Sequence, residues 1–217
     1  ESLGDKGAYC SPIIVERGGK KIIVVSVQNN LIGVNAANGD ILWKYDLSQH
    51  KGKINGVYPN TPIYHDGSIF ANGGYNTGGV KVDLSADGTS VKRAWFSKEL
   101  DTHIGGVVLV DGYLYGSNWH SNAKGHWLCV DWKTGETVYD ADWNNKGQII
   151  TADGMLYCYE EKKGNLGIAK ATPKGFDVVS SIQIGGKGVH WMHPAISDGV
   201  LYIRHNDVLT AYDIKAK

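Results

Sequence analysis

Three features of this 217-residue chain predict an all-β protein made of repeated antiparallel units. Turn glycines recur at a near-fixed period, because Gly67, Gly112, Gly154 and Gly199 stand 45, 42 and 45 residues apart, with Gly18-Gly19 as an earlier copy. A short apolar or aromatic run follows each turn, as in Tyr113-Leu-Tyr115, Met155-Leu-Tyr-Cys158 and Val200-Leu-Tyr-Ile203. No helical periodicity lies between the copies. Four-stranded units of about 40–50 residues repeated in this way are the signature of a β-propeller.

The clearest unit runs from Gly106 to Tyr139. Gly106 to Val110 form an apolar strand, Asp111-Gly112 a tight turn, Tyr113 to Tyr115 a second strand and Trp127 to Asp131 a third. Lys133-Thr134-Gly135-Glu136 then turns the chain into an outer strand ending at Tyr139. By the same grammar, blades are expected at about 10–45, 58–97, 103–141, 146–182 and 191–217, in a single propeller segment.

Residues 1–9 read as a link, and 45–58 as a long polar return. After Asp213 only Ile214-Lys-Ala-Lys217 remains, so the fifth blade is expected to lack its outer strand. The chain therefore reads as the later part of a longer propeller, with open blade edges available for pairing with another chain.

Composition excludes other classes. Net charge is zero, with 22 basic residues matched by 22 acidic ones and no basic block, so the electrostatic footprint of a nucleic-acid binder is missing. Apolar runs such as Ile22 to Val25 have single-strand length, so no transmembrane segment is expected. Three cysteines cannot complete a disulfide framework. Cys129 and Cys158 lie in apolar strands, where a thiol behaves as a small hydrophobe, and Cys10 precedes a strand.

The stretch Leu31-Ile-Gly-Val-Asn-Ala-Ala-Asn-Gly-Asp-Ile-Leu-Trp43 resembles the repeat of the pyrroloquinoline-quinone-like (quinoprotein alcohol dehydrogenase-like) β-propellers, loosely Ala-x-Asp-x-x-Thr-Gly-x-x-x-Trp. Leu128-Cys-Val-Asp-Trp-Lys-Thr-Gly-Glu-Thr-Val-Tyr139 matches it with Tyr for the final Trp, and Leu209-Thr-Ala-Tyr-Asp213 matches its first half. The resemblance implies a seven- or eight-bladed parent propeller and an extracytoplasmic, periplasmic or cell-surface location. It also implies that the repeat-ending Trp43, Trp95 and Tyr139 dock structurally between blades. The group it points to includes dehydrogenases that use pyrroloquinoline quinone with calcium, the lipoprotein scaffold of outer-membrane protein assembly, and proteins without known activity.

In a four-stranded blade, the returns to the next inner strand and the loops between strands two and three share one face. Seven of the eight histidines, all but His65, fall on that face. The candidate ligand-binding residues are therefore Tyr58, Asn60, His103, Asn118, Trp119, His120, Lys146, His190, Trp191, His193 and His205. Aromatic and imidazole groups on loops carried by a rigid scaffold suit a small molecule, a glycan or a protein partner.

His190-x-x-His193 and His120 with His126 are metal-like pairs, but no Cys or carboxylate stands at a supporting sequence spacing, so no metal is assigned. Nucleophile elbows, phosphate loops and His-Glu-x-x-His motifs are missing, and no Cys-Cys pair supports a quinoprotein dehydrogenase. The preferred reading is a non-catalytic binding or scaffolding propeller. The alternatives are a quinone-dependent alcohol or polyol dehydrogenase, and a carbohydrate-active enzyme using His103, Lys146 and His190.

Overall fold

The computed structural model describes residues 4–50, 52–53 and 56–215. Parts of the expected 1–9 link and 45–58 return, and the last two residues, lie outside the described residues. The fold is all-β: among the described residues nineteen strands form five antiparallel sheets, four of four strands and one of three, each in simple up-and-down order. The first sheet holds β1 (Ile13–Arg17), β2 (Lys20–Ser26), β3 (Asn30–Asn35) and β4 (Ile41–Asp46). The second holds β5 (Ile63–His65), β6 (Ser68–Gly73), β7 (Gly78–Leu84) and β8 (Val91–Ser97). The third comprises β9 (Val107–Val110), β10 (Tyr113–Ser117), β11 (Trp127–Asp131) and β12 (Thr137–Ala141). The fourth comprises β13 (Gly147–Ala152), β14 (Met155–Glu160), β15 (Asn165–Lys170) and β16 (Val178–Gln183). The last contains β17 (Ala195–Ser197), β18 (Val200–His205) and β19 (Val208–Asp213).

One local device recurs in every sheet. Asp66-Gly67, Asp111-Gly112, Asp153-Gly154 and Asp198-Gly199 each place both residues at positive φ, between 45° and 80°, and Gly18-Gly19 does the same. Each joins paired neighbours, such as Val110 with Tyr113 or Ala152 with Met155, across two residues. This is the type I′ hairpin, whose twist matches that of the strands and which Asp-Gly favours. In the four later copies an amide at or just past the end of the third strand closes onto the turn. Leu84, Trp132, Ala171 and Ile214 donate to the carbonyls of Gly67, Gly112, Gly154 and Gly199 at 2.8–3.0 Å.

A second device lies between the third and fourth strands. The register shifts between Gly33 and Val34, Lys81 and Val82, Cys129 and Val130, and Ile168 and Ala169. The residues paired just before these bulges are Trp43, Trp95, Tyr139 and Ser180. A bulge bends its strand and re-aims a side chain. The expected docking residues thus stand at a repeated kink.

The described residues divide into two compact units, one of 1–103 with 134–136 and one of 104–133 with 137–217. In the first, Ile22, Val24, Leu31, Trp43, Ile69, Val80 and Val82 are buried together. The Trp43 indole covers Gly33 so closely that a Cβ there would stand 2.1 Å from Cε2, and the Trp95 indole lies likewise on Gly135. In the second, Tyr115, Trp127, Cys129, Ile149, Leu156 and Cys158 form one cluster, and Tyr157, Tyr159, Leu166, Ile184, Leu201 and Ile203 another.

Phe176 stands in the loop just before β16. Its ring stacks on Trp127 at 5.9 Å and 6° and meets Tyr139 and Trp143. Trp143 in turn covers Gly167. Where the repeat offers Ser180 in place of an aromatic, Phe176 supplies the ring from the loop.

Burial raises the Cys129 thiol to about 11 and holds Cys158 well above its ordinary value, so both are unreactive hydrophobes. Gly33→Ala should cost about 1–3 kcal/mol in urea unfolding, because the added methyl must displace the Trp43 ring. A neutral result would contradict the close indole-on-glycine contact.

Candidate functional site

The histidine-bearing loops separate into side chains that build the fold and side chains that face solvent. In the first unit, Tyr58 is buried and donates its hydroxyl to Leu47 O at 3.1 Å, and Asn60 donates to Thr102 O at 2.6 Å. Asn72 lies inside β6 and is buried. Asp101 accepts the amides of Asn76, Thr77 and Gly78 and so shapes the turn that brings the Tyr75 and His103 rings within 4.3 Å. Burial nevertheless lifts its carboxyl to about 6.

In the second unit the charged groups are held inward. Lys146 is buried and pairs with Glu161 Oε1 at 2.5 Å, while also donating to Asn122 O at 3.2 Å. Lys162 approaches the same Glu161 oxygen at 3.7 Å. Glu160 accepts the amides of Lys162 and Lys163 and the Asn165 side chain, which fixes the turn from β14 to β15.

His190 is buried, and its amide donates to Glu161 O at 2.8 Å. Its Nδ1 shares a 2.5 Å hydrogen bond with the Tyr159 hydroxyl, and its ring meets His205 edge-on at 3.9 Å. Desolvation, then the neighbouring His205, lowers the pKa of His190, while burial lifts Tyr159 to about 12. The tyrosine therefore donates and the neutral imidazole accepts at Nδ1, leaving the ring proton on Nε2. Gly164 and Gly186 make room, since a Cβ at either would enter the His190 or His205 ring. Beside His205, a pocket of about 390 Å³ is lined by Gly185, Gly186, Asn206, Asp207 and Thr210, among others.

The loop from β10 to β11 is strongly tied. Asn118 is buried, accepts the His126 amide on Oδ1 at 2.8 Å and places Nδ2 3.0 Å from His120 Nε2. Trp119 is buried and donates Nε1–H to Asn122 at 3.1 Å. Asn145 and Lys146 hold the loop carbonyls of Ala123 and Asn122. Trp191 and His193, by contrast, are exposed, with Val189 and Met192 beside them.

Sequence spacing offered no carboxylate for His120 and His126, and the structure corrects this. The β11–β12 pairing sets Leu128 against Asp140, which carries that carboxylate to His126 Nδ1 at 2.7 Å, with Asp142 3.6 Å from Nε2. Asp140 is 14 residues from His126, and only the bulged hairpin register brings them together. His190 and His193 form no such three-residue group among the described residues.

The family model described as outer membrane protein assembly factor BamB matches residues 7–141. The chain belongs to this BamB-like family of pyrroloquinoline-quinone-like propeller repeats. The fold of this BamB-like chain is similar to that of BamB from Moraxella catarrhalis, with a TM-score of 0.68 and 13% identity over 94% of this chain and 58% of that one. It is also similar to a europium-containing methanol dehydrogenase (0.58; 13%; 92% and 50%) and to a periplasmic gluconolactonase of Pseudomonas aeruginosa (0.60; 10%; 90% and 65%). The chain thus spans between half and two thirds of these structures' lengths. No curated protein sequence matches it.

The donor set does not fit calcium-bound pyrroloquinoline quinone. Calcium needs several carboxylate or carbonyl oxygens. Among the described residues, the buried carboxylates of Asp101, Glu160 and Glu161 are each already engaged by amides or lysines.

Lys146→Met should destabilise the chain by about 3–5 kcal/mol, by leaving Glu161 buried without its principal partner, and adding Glu161→Leu should recover most of that loss. Denaturant unfolding of the single and double variants measures both. Because the folded pKa of His190 is depressed, its contribution is present above the unfolded value of 6.5 and lost as pH falls below it towards the folded pKa. NMR titration should place His190 below 6.5, and His190→Gln should flatten this part of the stability profile. A His190 value above 6.5 would contradict the buried neutral ring.

Proposed function

We propose that this chain is a non-catalytic, extracytoplasmic scaffolding propeller that docks a protein partner through the loop between β16 and β17. One observation carries the reading. Lys146 and His190, two of the three side chains considered for acid–base chemistry, are buried in side-chain or backbone hydrogen bonds together with Glu160 and Glu161, whereas Val189, Trp191 and Met192 are 43%, 52% and 41% exposed beside an exposed His193. Neighbouring exposed apolar side chains mark interaction sites, and tryptophan is the residue most often found at the energetic centre of an interface. Met192 adds an adaptable contact. The extracytoplasmic assignment is supported by the names of the family and of one structural neighbour, an outer membrane protein assembly factor and a periplasmic enzyme. The same names make outer-membrane assembly proteins the first partners to test.

The double variant Trp191→Ala/His193→Ala should weaken saturable binding to a detergent-solubilised outer-membrane fraction by a factor of about 30 or more, as expected for an interface centre. Its folding stability should change by no more than about 0.5 kcal/mol, since both side chains are exposed. Lost stability with unchanged binding would sink the assignment.

A further inference from the structure

The geometry points to a site for a divalent transition-metal ion of the zinc class at His120, His126 and Asp140, on the loop side of the third sheet. One ligand atom from each residue lies within 4.8 Å of the other two. Donors bound to one tetrahedral ion at about 2.0–2.2 Å stand roughly 3.3–3.5 Å apart, so small side-chain adjustments suffice to close the set. Two imidazoles and a carboxylate are the borderline donors that such an ion selects over calcium or magnesium. Three protein ligands also leave a fourth position for water or a partner's side chain.

The surroundings are built to hold these groups. Asn118 is buried and touches both histidines, through the His126 amide and through His120 Nε2. The loop between them is closed by its own backbone, with the amides of His120 and Ser121 both donating to Lys124 O. Gly125 is clamped between Asn118 O and Lys146 Cβ. The rings of His120 and His126 meet edge-on at 4.5 Å.

His126 Nε2 is buried and makes no hydrogen bond, with Asp142 Oδ1 3.6 Å away. Asp142 is paired with Lys124 at 3.3 Å, an exposed and exchangeable contact that a bound cation would displace. A metal here would tie the β10–β11 loop to the end of β12.

The test is a titration of the purified chain with Co²⁺ and Zn²⁺, read by Co²⁺ visible absorption and native mass spectrometry. One ion per chain is expected, with a tetrahedral or five-coordinate Co²⁺ spectrum that Zn²⁺ abolishes. His126→Ala and His120→Ala should each remove the spectrum, and Asp140→Asn should weaken binding at least tenfold. Thermal melts establish that each variant folds, and His65→Ala, which alters an exposed histidine outside the cluster, should bind as the parent does. Stoichiometric binding that survives in folded His120→Ala/His126→Ala, or no binding to the parent chain at millimolar Co²⁺, would overturn the site.

Discussion

The structure depends on a two-residue turn whose central residues both adopt left-handed backbone angles. Most side chains pay a steric penalty there, which Asp tolerates and Gly avoids. Asp-Gly at four positions and Gly-Gly at a fifth therefore fix where each sheet turns, and with it the pairing of its first two strands. Because side chains alternate with period two, a slip of one residue would turn the apolar faces of β2 and β18 outward. In four copies the closing amide on the turn glycine then fixes the third strand to the same reference point. Register propagates outwards from a local and chemically simple choice.

The bulge at the third-to-fourth strand step completes the unit. It falls at the same place in all four four-stranded sheets, beside Trp43, Trp95, Tyr139 and Ser180. A large ring at a kink needs a flat surface, and Gly33 and Gly135 provide one by lacking a Cβ. Where the serine breaks the pattern, Phe176 and Trp143 fill the space from neighbouring loops, so the packing requirement outlasts the sequence motif.

This explains how far the sequence could be read. Turns are encoded in adjacent residues, so Asp66-Gly67 through Asp198-Gly199 and the strands they join were legible. Phe176 was not, because its place in the aromatic cluster is set by tertiary packing rather than by strand periodicity. The end of β6 was equally hard to place from sequence, because only pairing with β7 extends that strand through Gly73. Asp140 escaped for the same reason as Phe176: its neighbourhood with His126 depends on a cross-strand register offset by a bulge, which no fixed sequence interval expresses.

The histidines show why gathering on one face does not amount to one site. In this all-β fold, imidazoles at strand ends and loops have two fates, and burial decides between them. His190 sits where Gly164 leaves room and Tyr159 supplies a donor, so it serves as a neutral structural acceptor. His126 is partly exposed and faces carboxylates on the next strand, so its ring remains available to a cation. His193, beside Trp191, is exposed on a loop whose apolar neighbours favour a protein surface. A rigid sheet framework lets all three environments occur within one unit, because each loop is anchored by hydrogen bonds at its own strand ends. Surface chemistry can then vary from loop to loop without disturbing the turn that sets the register.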